Sequence, residues 1–293
     1  MELDKLLRLI TDETGILVQS HRVIMDGWDN QVIEVNNETI FRFTRRRETL
    51  EQHIKELELL PLLNKHLTLQ VPNPVYHQTE TPPYYMAYRK IPGKPITRDL
   101  DEKNLETITQ FLTELQSIDH IGLRKIPRYT PEAWKQEYHE LYQRITREAY
   151  PSLKPSTIAK INRVFNELLD AETIFKPTLC HRDLTTDHIL ESEGKITGII
   201  DWGDSCIGDP AFDLTGLVMG FGEKALKNVS RKLEYPPEYL ERAWFYSHVS
   251  PFYEYLYGKE VQDEKRIKSG MEKINKTFSK KPSLIQGNAM KKE

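Results

Sequence analysis

The sequence is poor in cysteine. Only Cys180 and Cys206 occur in 293 residues, too few for the disulfide framework of a small secreted domain, so a reducing compartment is expected. Neither lies at metal-ligand spacing from another cysteine. Long apolar runs are also missing, and no window approaches the ~20 residues that span a bilayer. The opening MELDKLLRLITDETG reads as a short amphipathic helix with Leu3, Leu6, Leu7 and Ile10 on one side, and its acidic residues argue against a signal peptide. Neither sign of charge dominates: 41 Lys and Arg face 44 Asp and Glu, a net charge of −3. That gives no electrostatic reason to expect a nucleic acid or a membrane surface as partner. The sharpest basic cluster, Arg45-Arg46-Arg47, reads as a solvated loop or helix start. Internal repeats and low-complexity tracts are absent, and the N-terminal loop around Gly27 has no G-x-G-x-x-G. These absences leave a cytoplasmic globular protein, long enough for one large domain or two lobes, and a monomer is expected.

What is present divides into a strand-rich start and a helical remainder. Residues 16–43 contain two turn signals, Asp26-Gly27-Trp28-Asp29-Asn30 and Asn36-Asn37, with alternating segments at 31–35 and 39–43. That pattern predicts an antiparallel meander. A helix is expected over 48–64, kinked or ended by Pro61. Two strands follow near 73–77 and 84–90, and then Pro92-Gly93 and Pro95 break any regular element. Beyond that break, apolar residues recur at helical spacing: Leu105, Ile108, Phe111, Leu112 and Leu115, then Trp134, Tyr138, Leu141 and Ile145, then Ile158, Ile161, Val164, Phe165 and Leu168. Thr130 before Pro131 has the form of an N-cap followed by proline at the first helical position. Helices are also expected over 223–233, 236–257 and 261–277.

The chemistry concentrates in CHRDLTTDHILESEGKITGIIDWGDSCIGDPAFDL, residues 180–214. Asp183 falls in a polar loop between strand-like segments at 178–180 and 189–190. The chain then turns at Gly194 and returns as KITGIID, ending on Asp201. Such a hairpin brings Asp183, His188 and Asp201 to one edge. Two carboxylates with a third metal-capable side chain suit phosphoryl transfer: one orients or deprotonates an acceptor hydroxyl, and the others hold a divalent ion on the nucleotide phosphates. Any one of these aspartates alone would be an ordinary turn or cap residue. The combined spacing makes the functional reading the stronger one.

The segment resembles the catalytic core of the aminoglycoside phosphotransferase family, small-molecule kinases with a protein-kinase-like fold. The resemblance rests on His181-Arg182-Asp183, His188 five residues later, Ile200-Asp201-Trp202 and Gly208-Asp209-Pro210. It implies an α+β, two-lobed fold, with residues 1–91 as a nucleotide-binding lobe of antiparallel sheet and helix. Residues 92–293 then form a mostly helical catalytic and substrate lobe. It further implies Asp183 as catalytic base, Asp201 and His188 as ligands of Mg2+, and Asp213 as a buried support of the loop. ATP or GTP would be the phosphoryl donor, with Arg42 holding its phosphates and pairing with Glu56, against which Glu58 is a rival. The loop at 26–30, with Gly27 and Asn30, would cover the phosphates, and Met86 and Tyr88 would lie in the hinge that meets the nucleobase. Arg42 stands where many relatives carry Lys, and His188 where Asn is usual. Imidazole suits softer ions than magnesium, so a structural His188 is the alternative. The branch that phosphorylates the 2″-hydroxyl of aminoglycosides resembles this chain in having His at that point.

A cationic small-molecule acceptor wants carboxylates, and Asp204, Glu238, Glu241 and Glu254 are the candidates. Glu238 and Glu241 share a helix face, and Glu254 lies within FYEYLYG, among aromatics able to cover a sugar ring. The resemblance implies phosphorylation of an aminoglycoside or related amino sugar, as antibiotic resistance. Alternatives are a kinase for a macrolide, choline, a sugar or an amino alcohol, or an inactive kinase-like binding protein.

Overall fold

In chain order the elements are α1 (Leu3–Thr14), β1 (His21–Ile24), β2 (Asn30–Val35), β3 (Thr39–Thr44), α2 (Arg47–His66), β4 (Pro74–Gln78), β5 (Tyr85–Arg89), β6 (Lys94–Pro95) and α3 (Glu102–Ser117). They continue as α4 (Pro131–Glu148), α5 (Pro155–Asp170), β7 (Thr178–Cys180), β8 (Ile189–Ser192), β9 (Lys195–Ile199), β10 (Cys206–Gly208), α6 (Ala211–Lys232), α7 (Pro237–Glu260) and α8 (Glu264–Ser279). The structure is a computed structural model and describes residues 2–24, 30–170 and 175–279. Gly27 lies outside the described residues. The α+β class holds, with an antiparallel sheet near the start and helices dominating later. Among the described residues no helix is long and apolar enough to cross a membrane.

The chain divides into two compact units, neither of them continuous in sequence. One comprises Met1–Arg98, Gln110–Pro127 and Thr186–Ser205; the other comprises Asp99–Thr109, Arg128–Thr185 and Cys206–Glu293.

In the first unit the sheet runs β1-β2-β3-β5-β4, antiparallel throughout. Asn36 and Asn37 take φ of 53° and 57° at the β2–β3 turn, a conformation asparagine tolerates better than most residues. Strand alternation gives β3 two different faces. Phe41 and Phe43 enter an apolar core with Leu6 and Ile10 of α1, Ile33, Val35, Tyr85 and Ala87. Arg42 therefore projects from the opposite face. Helix α2 runs past Pro61 to His66 rather than ending there. Pro61 costs the helix one hydrogen bond and crowds the preceding turn, and the burial of Leu59, Leu60 and Leu63 on either side of it offsets that cost. The same unit holds the β8–β9 hairpin, which β6 joins at its edge. Its two-residue turn, Glu193-Gly194, has φ of 51° and 77°, the positive values a tight hairpin requires. A Cβ on Gly198 would lie 2.6 Å from the Gln70 carbonyl oxygen, so the absent side chain permits this close backbone approach.

The second unit is built around α7, which is buried on most sides through Trp244, Phe245, Tyr246, Val249, Phe252, Tyr255 and Leu256. Rings of α4 and α5 join it: Trp134 and Tyr138 pack with Tyr246, and Phe165 stands edge-on to Phe245 at 5.3 Å. Thr130 caps α4 as expected, its hydroxyl accepting from the Ala133 amide at 3.2 Å. The strand-like segment 178–180 pairs with β10, with Cys180 opposite Cys206. One expectation needs correction. Helix α6 starts at Ala211, not near 223, and carries a break at Gly222, where φ is 78°.

Candidate active site

In the first unit, four of the sequence-identified residues come together. Arg42 donates from Nη1 to both Glu56 oxygens at 2.9 and 2.8 Å, and from Nη2 to Asp201 Oδ1 at 3.1 Å. The spacing of fourteen residues works because β3 leads directly into α2, and the third turn of that helix presents Glu56 to the Arg42 face of the sheet. Glu58 does something else: its carboxylate accepts from the Arg124 and Lys125 amides. The hairpin accounts for the other pair. His188 immediately precedes β8 and Asp201 follows β9 by two residues, with the Ile200 amide bonded to the His188 carbonyl at 3.0 Å. Asp201 takes φ of 65°, a costly value for a residue with a Cβ. Its Oδ2 lies 3.5 Å from His188 Nε2.

Exposure distinguishes these groups. The Arg42 and Glu56 side chains are 7 % and 1 % exposed, whereas Asp201 is 48 % exposed. Burial works to lower the Arg42 pKa, yet the carboxylates of Glu56 and Asp201 outweigh it, and the guanidinium is held more firmly protonated than usual. Burial pushes the Glu56 carboxyl up, with Arg42 opposing. The two-oxygen fork is the geometry of an ionised pair.

Around this group α2 contributes residues that sequence reasoning did not single out. Lys55 Nζ donates to the Ser205 carbonyl at 3.1 Å. Gln52 Nε2 donates to Asp204, an exposed residue, at 3.4 Å. His53 is fully buried, and neither ring nitrogen has a hydrogen-bond partner among the described residues. Burial first, then the Arg42 charge, brings its pKa down to about 3 against the opposing pull of Asp201, so the ring is neutral. Met86 sits opposite Arg42 in the β3–β5 register and is buried, as is Tyr88, whose hydroxyl is pushed up to about 12 by burial against the pull of Arg42. Asn30 begins β2, and its side-chain oxygen is buried.

Asp183 belongs to the second unit. Its amide donates to His181 Nδ1 at 3.2 Å, and its carbonyl accepts from the Thr185 amide at 2.9 Å. Behind the loop, Asp213 accepts from the His181 amide at 3.1 Å and from the Arg182 amide at 2.7 Å. Burial raises the Asp213 carboxyl to about 7; the two amides pull it down and the charge of Asp183 adds to the rise. The Gly208-Asp209-Pro210 signature is explained locally. Asp209 is fully buried and takes a guanidinium fork from Arg242 together with the Tyr246 hydroxyl at 2.6 Å.

The acceptor candidates of this unit are more scattered. Glu238 and Glu241 lie exposed in the first turns of α7. Glu254 is ion-paired with Lys273 of α8 at 2.7 Å, a partner nineteen residues away that helix periodicity does not indicate. Glu137 of α4, absent from the candidates, bonds Arg182 at 2.9 Å.

A family model described as the phosphotransferase enzyme family matches residues 20–245. Among curated proteins, the chain is 26 % identical over 241 residues to the viomycin phosphotransferase of Streptomyces vinaceus, covering 77 % of this chain and 81 % of that one. It is also 26 % identical over 266 residues to an uncharacterised protein of Bacillus subtilis (strain 168), covering 80 % and 82 %. Among solved structures, the GDP complex of an aminoglycoside 2′-phosphotransferase-IIIa superposes with a TM-score of 0.87 at 23 % identity, over 95 % of this chain and 99 % of that one. A macrolide 2′-phosphotransferase from Brachybacterium faecium gives a TM-score of 0.76 at 21 % identity, over 93 % and 98 %. The fold is therefore kinase-like.

Proposed function

Because the chain belongs to the phosphotransferase enzyme family and so is a small-molecule kinase, we propose that it transfers the γ-phosphoryl of ATP or GTP to a hydroxyl of an aminoglycoside or related amino sugar, as an antibiotic-resistance enzyme. The observation that carries this reading is the buried Arg42–Glu56 fork whose guanidinium also reaches Asp201. A guanidinium has five N–H donors, more than these three bonds use, and the remaining ones suit phosphate oxygens. Gly27 and Asn30 cover the phosphates in this proposal, and Met86 and Tyr88 flank the nucleobase. Residues 1–91 serve the nucleotide and 92–293 serve catalysis and the acceptor, with the β8–β9 hairpin assigned by its own residues to the metal.

The donor set at Asp201 fits a magnesium ion. Such an ion takes one or two carboxylates and completes its shell with water and phosphate oxygens, without needing an all-protein cage. Among the described residues no three His, Cys, Asp or Glu side chains form one. Asp201 is the oxygen ligand, and His188 the softer second ligand beside Oδ2. When bound, the ion would neutralise phosphate charge. Asp183 orients the acceptor hydroxyl and takes its proton, while Asp213 holds the two amides ahead of it. Asp204, Glu238, Glu241 and Glu254 meet ammonium groups of the acceptor.

The test is nucleotide consumption with magnesium, ATP or GTP, and a panel of kanamycin, viomycin, a macrolide and choline. Turnover with kanamycin or another amino sugar is expected. Turnover confined to choline or the macrolide would replace the acceptor class. Asp183→Asn should lower kcat by about 10²–10⁴ with nucleotide binding retained, and an unchanged kcat would remove Asp183 as the base.

A further inference from the structure

The residue immediately ahead of Asp183 is unusual in both backbone and side chain. Arg182 takes φ of 71°, a left-handed conformation that residues with a Cβ seldom adopt unless the surroundings impose it. A glycine would take this φ without strain and could still offer its amide to Asp213. The arginine must therefore provide something beyond the turn. Its side chain shows what that is.

Arg182 Nη1 donates to the Tyr129 hydroxyl at 2.7 Å, and Nη2 donates to Glu137 Oε1 at 2.9 Å. The guanidinium carbon also lies 4.7 Å from the Tyr129 ring centroid and 5.2 Å from that of Phe212. One planar cation thus meets the segment before α4, α4 itself and the first turn of α6. The side chain is 25 % exposed, so most of this set is shielded from competing water. A guanidinium can do this where an ammonium cannot, because its fork satisfies two differently placed acceptors while its faces lie against rings.

We propose that Arg182 is a positioning residue, and that its anchorage on Glu137 and Tyr129 fixes the direction of the Asp183 carboxylate. The proposal rests on the reading of Asp183 as the acceptor-facing carboxylate. The loop is gripped on both sides of Arg182. Behind it, Asp213 takes the His181 and Arg182 amides; ahead of it, the Asp183 amide bonds His181 Nδ1 and its carbonyl takes the Thr185 amide. Those bonds hold the peptide groups on either side of Arg182 in a backbone conformation that is strained for a residue with a Cβ. The guanidinium adds a side-chain tie from that Cα to Glu137 of α4 and to Tyr129, which opposes relaxation of the strained turn. Unlike a contact made only with bound substrate, this clamp is complete in the free chain, so it pre-organises the loop before the acceptor arrives.

The experiment compares Arg182→Gly, Arg182→Lys, Glu137→Gln and Asp183→Asn with the parent, by hydrogen–deuterium exchange and by steady-state kinetics with GTP, magnesium and kanamycin. Glycine suits the backbone, so Arg182→Gly should fold with little change in Tm. Amides of residues 181–185 should then exchange at least about tenfold faster. The kcat should fall about 100-fold, the loss that follows a displacement of about 1 Å, while KM for GTP stays within about threefold. Arg182→Lys should recover part of the loss, since an ammonium still reaches Glu137, and Glu137→Gln should show a smaller loss of kcat. Unchanged exchange, a parental kcat in Arg182→Gly, or a loss explained by unfolding would each overturn the proposal. If Asp183→Asn keeps turnover, or kanamycin is not phosphorylated, the underlying reading fails instead, and the exchange rates alone then decide whether the clamp exists.

Discussion

Glu56→Gln removes a negative charge from a fully buried position while keeping the volume of the side chain. Both carboxylate oxygens of Glu56 accept from the same Arg42 nitrogen; the amide would keep one acceptor and turn an NH2 toward a donor. Taking away one partner of a buried ion pair costs about 3–5 kcal/mol. Here Asp201 still faces Arg42 at 3.1 Å, but it is 48 % exposed and compensates weakly, so the low end of the range, about 3 kcal/mol, is expected. At about 2–4 °C per kcal/mol for a domain of roughly this size, the transition involving the first unit should fall by about 6–12 °C. Calorimetry resolves such a change, and it also shows whether the two units melt separately. A second variant separates stability from function. In Arg42→Met with Glu56→Leu, both charges leave together, and well-packed apolar replacement of a buried pair is often neutral or stabilising. The double variant should regain most of the lost Tm and yet bind nucleotide poorly. A fall of less than about 2 °C for Glu56→Gln, or a double variant less stable than the single, would refute the reasoning.

Asp213 makes a pH-dependent contribution. Its carboxyl is raised to about 7, by burial first, against about 3.9 in an unfolded chain, so the folded state binds this proton more tightly. Its contribution to stability is present below about pH 4 and is lost as pH rises toward 7. Asp213→Asn should therefore flatten the decline of urea-measured stability across that window relative to the parent; identical slopes would argue against a raised carboxyl. Gly216 is the third case. A Cβ there would lie 1.8 Å from the Leu184 carbonyl oxygen and 2.4 Å from its carbon. This is backbone overlap that no rotamer relieves, so Gly216→Ala should cost about 3 kcal/mol or more and lower kcat through the neighbouring loop. An unchanged melting curve would show that α6 shifts freely.

Legibility in the sequence followed the distance over which each feature is encoded. The meander, α2 and the long helices were readable because periods of two and 3.6 residues repeat within them. Arg42 and Glu56 were readable through the family resemblance, which puts a basic residue on the third strand and its carboxylate on the next helix, and left Glu58 as a rival. The His188–Asp201 proximity follows from a hairpin with a glycine turn. The pairing of β7 with β10 was not readable, since three-residue strands hold too little pattern to choose a partner. The start of α6 was hidden by Gly208 and Pro210, which read as loop, and by Gly220 and Gly222 within the helix. Arg182 on Glu137, Asp209 on Arg242 and Glu254 on Lys273 join residues 45, 33 and 19 positions apart. No local regularity announces such pairs. His53 illustrates the reverse: its place on a helix was legible, but its burial beside Arg42 depends on how that helix lies against the sheet.

The discontinuity of the first unit bears on how the protein is made. Its sheet and α2 are complete by Arg98, but the hairpin that supplies Asp201 to Arg42 ends only near Ser205. Roughly 100 further residues must leave the ribosome first, about 5–20 s at ordinary synthesis rates. During that interval the nascent chain carries a buried-type arginine with one of its two carboxylates missing, and a Gln70 backbone without its Gly198 partner. Slower synthesis lengthens this exposure rather than shortening it.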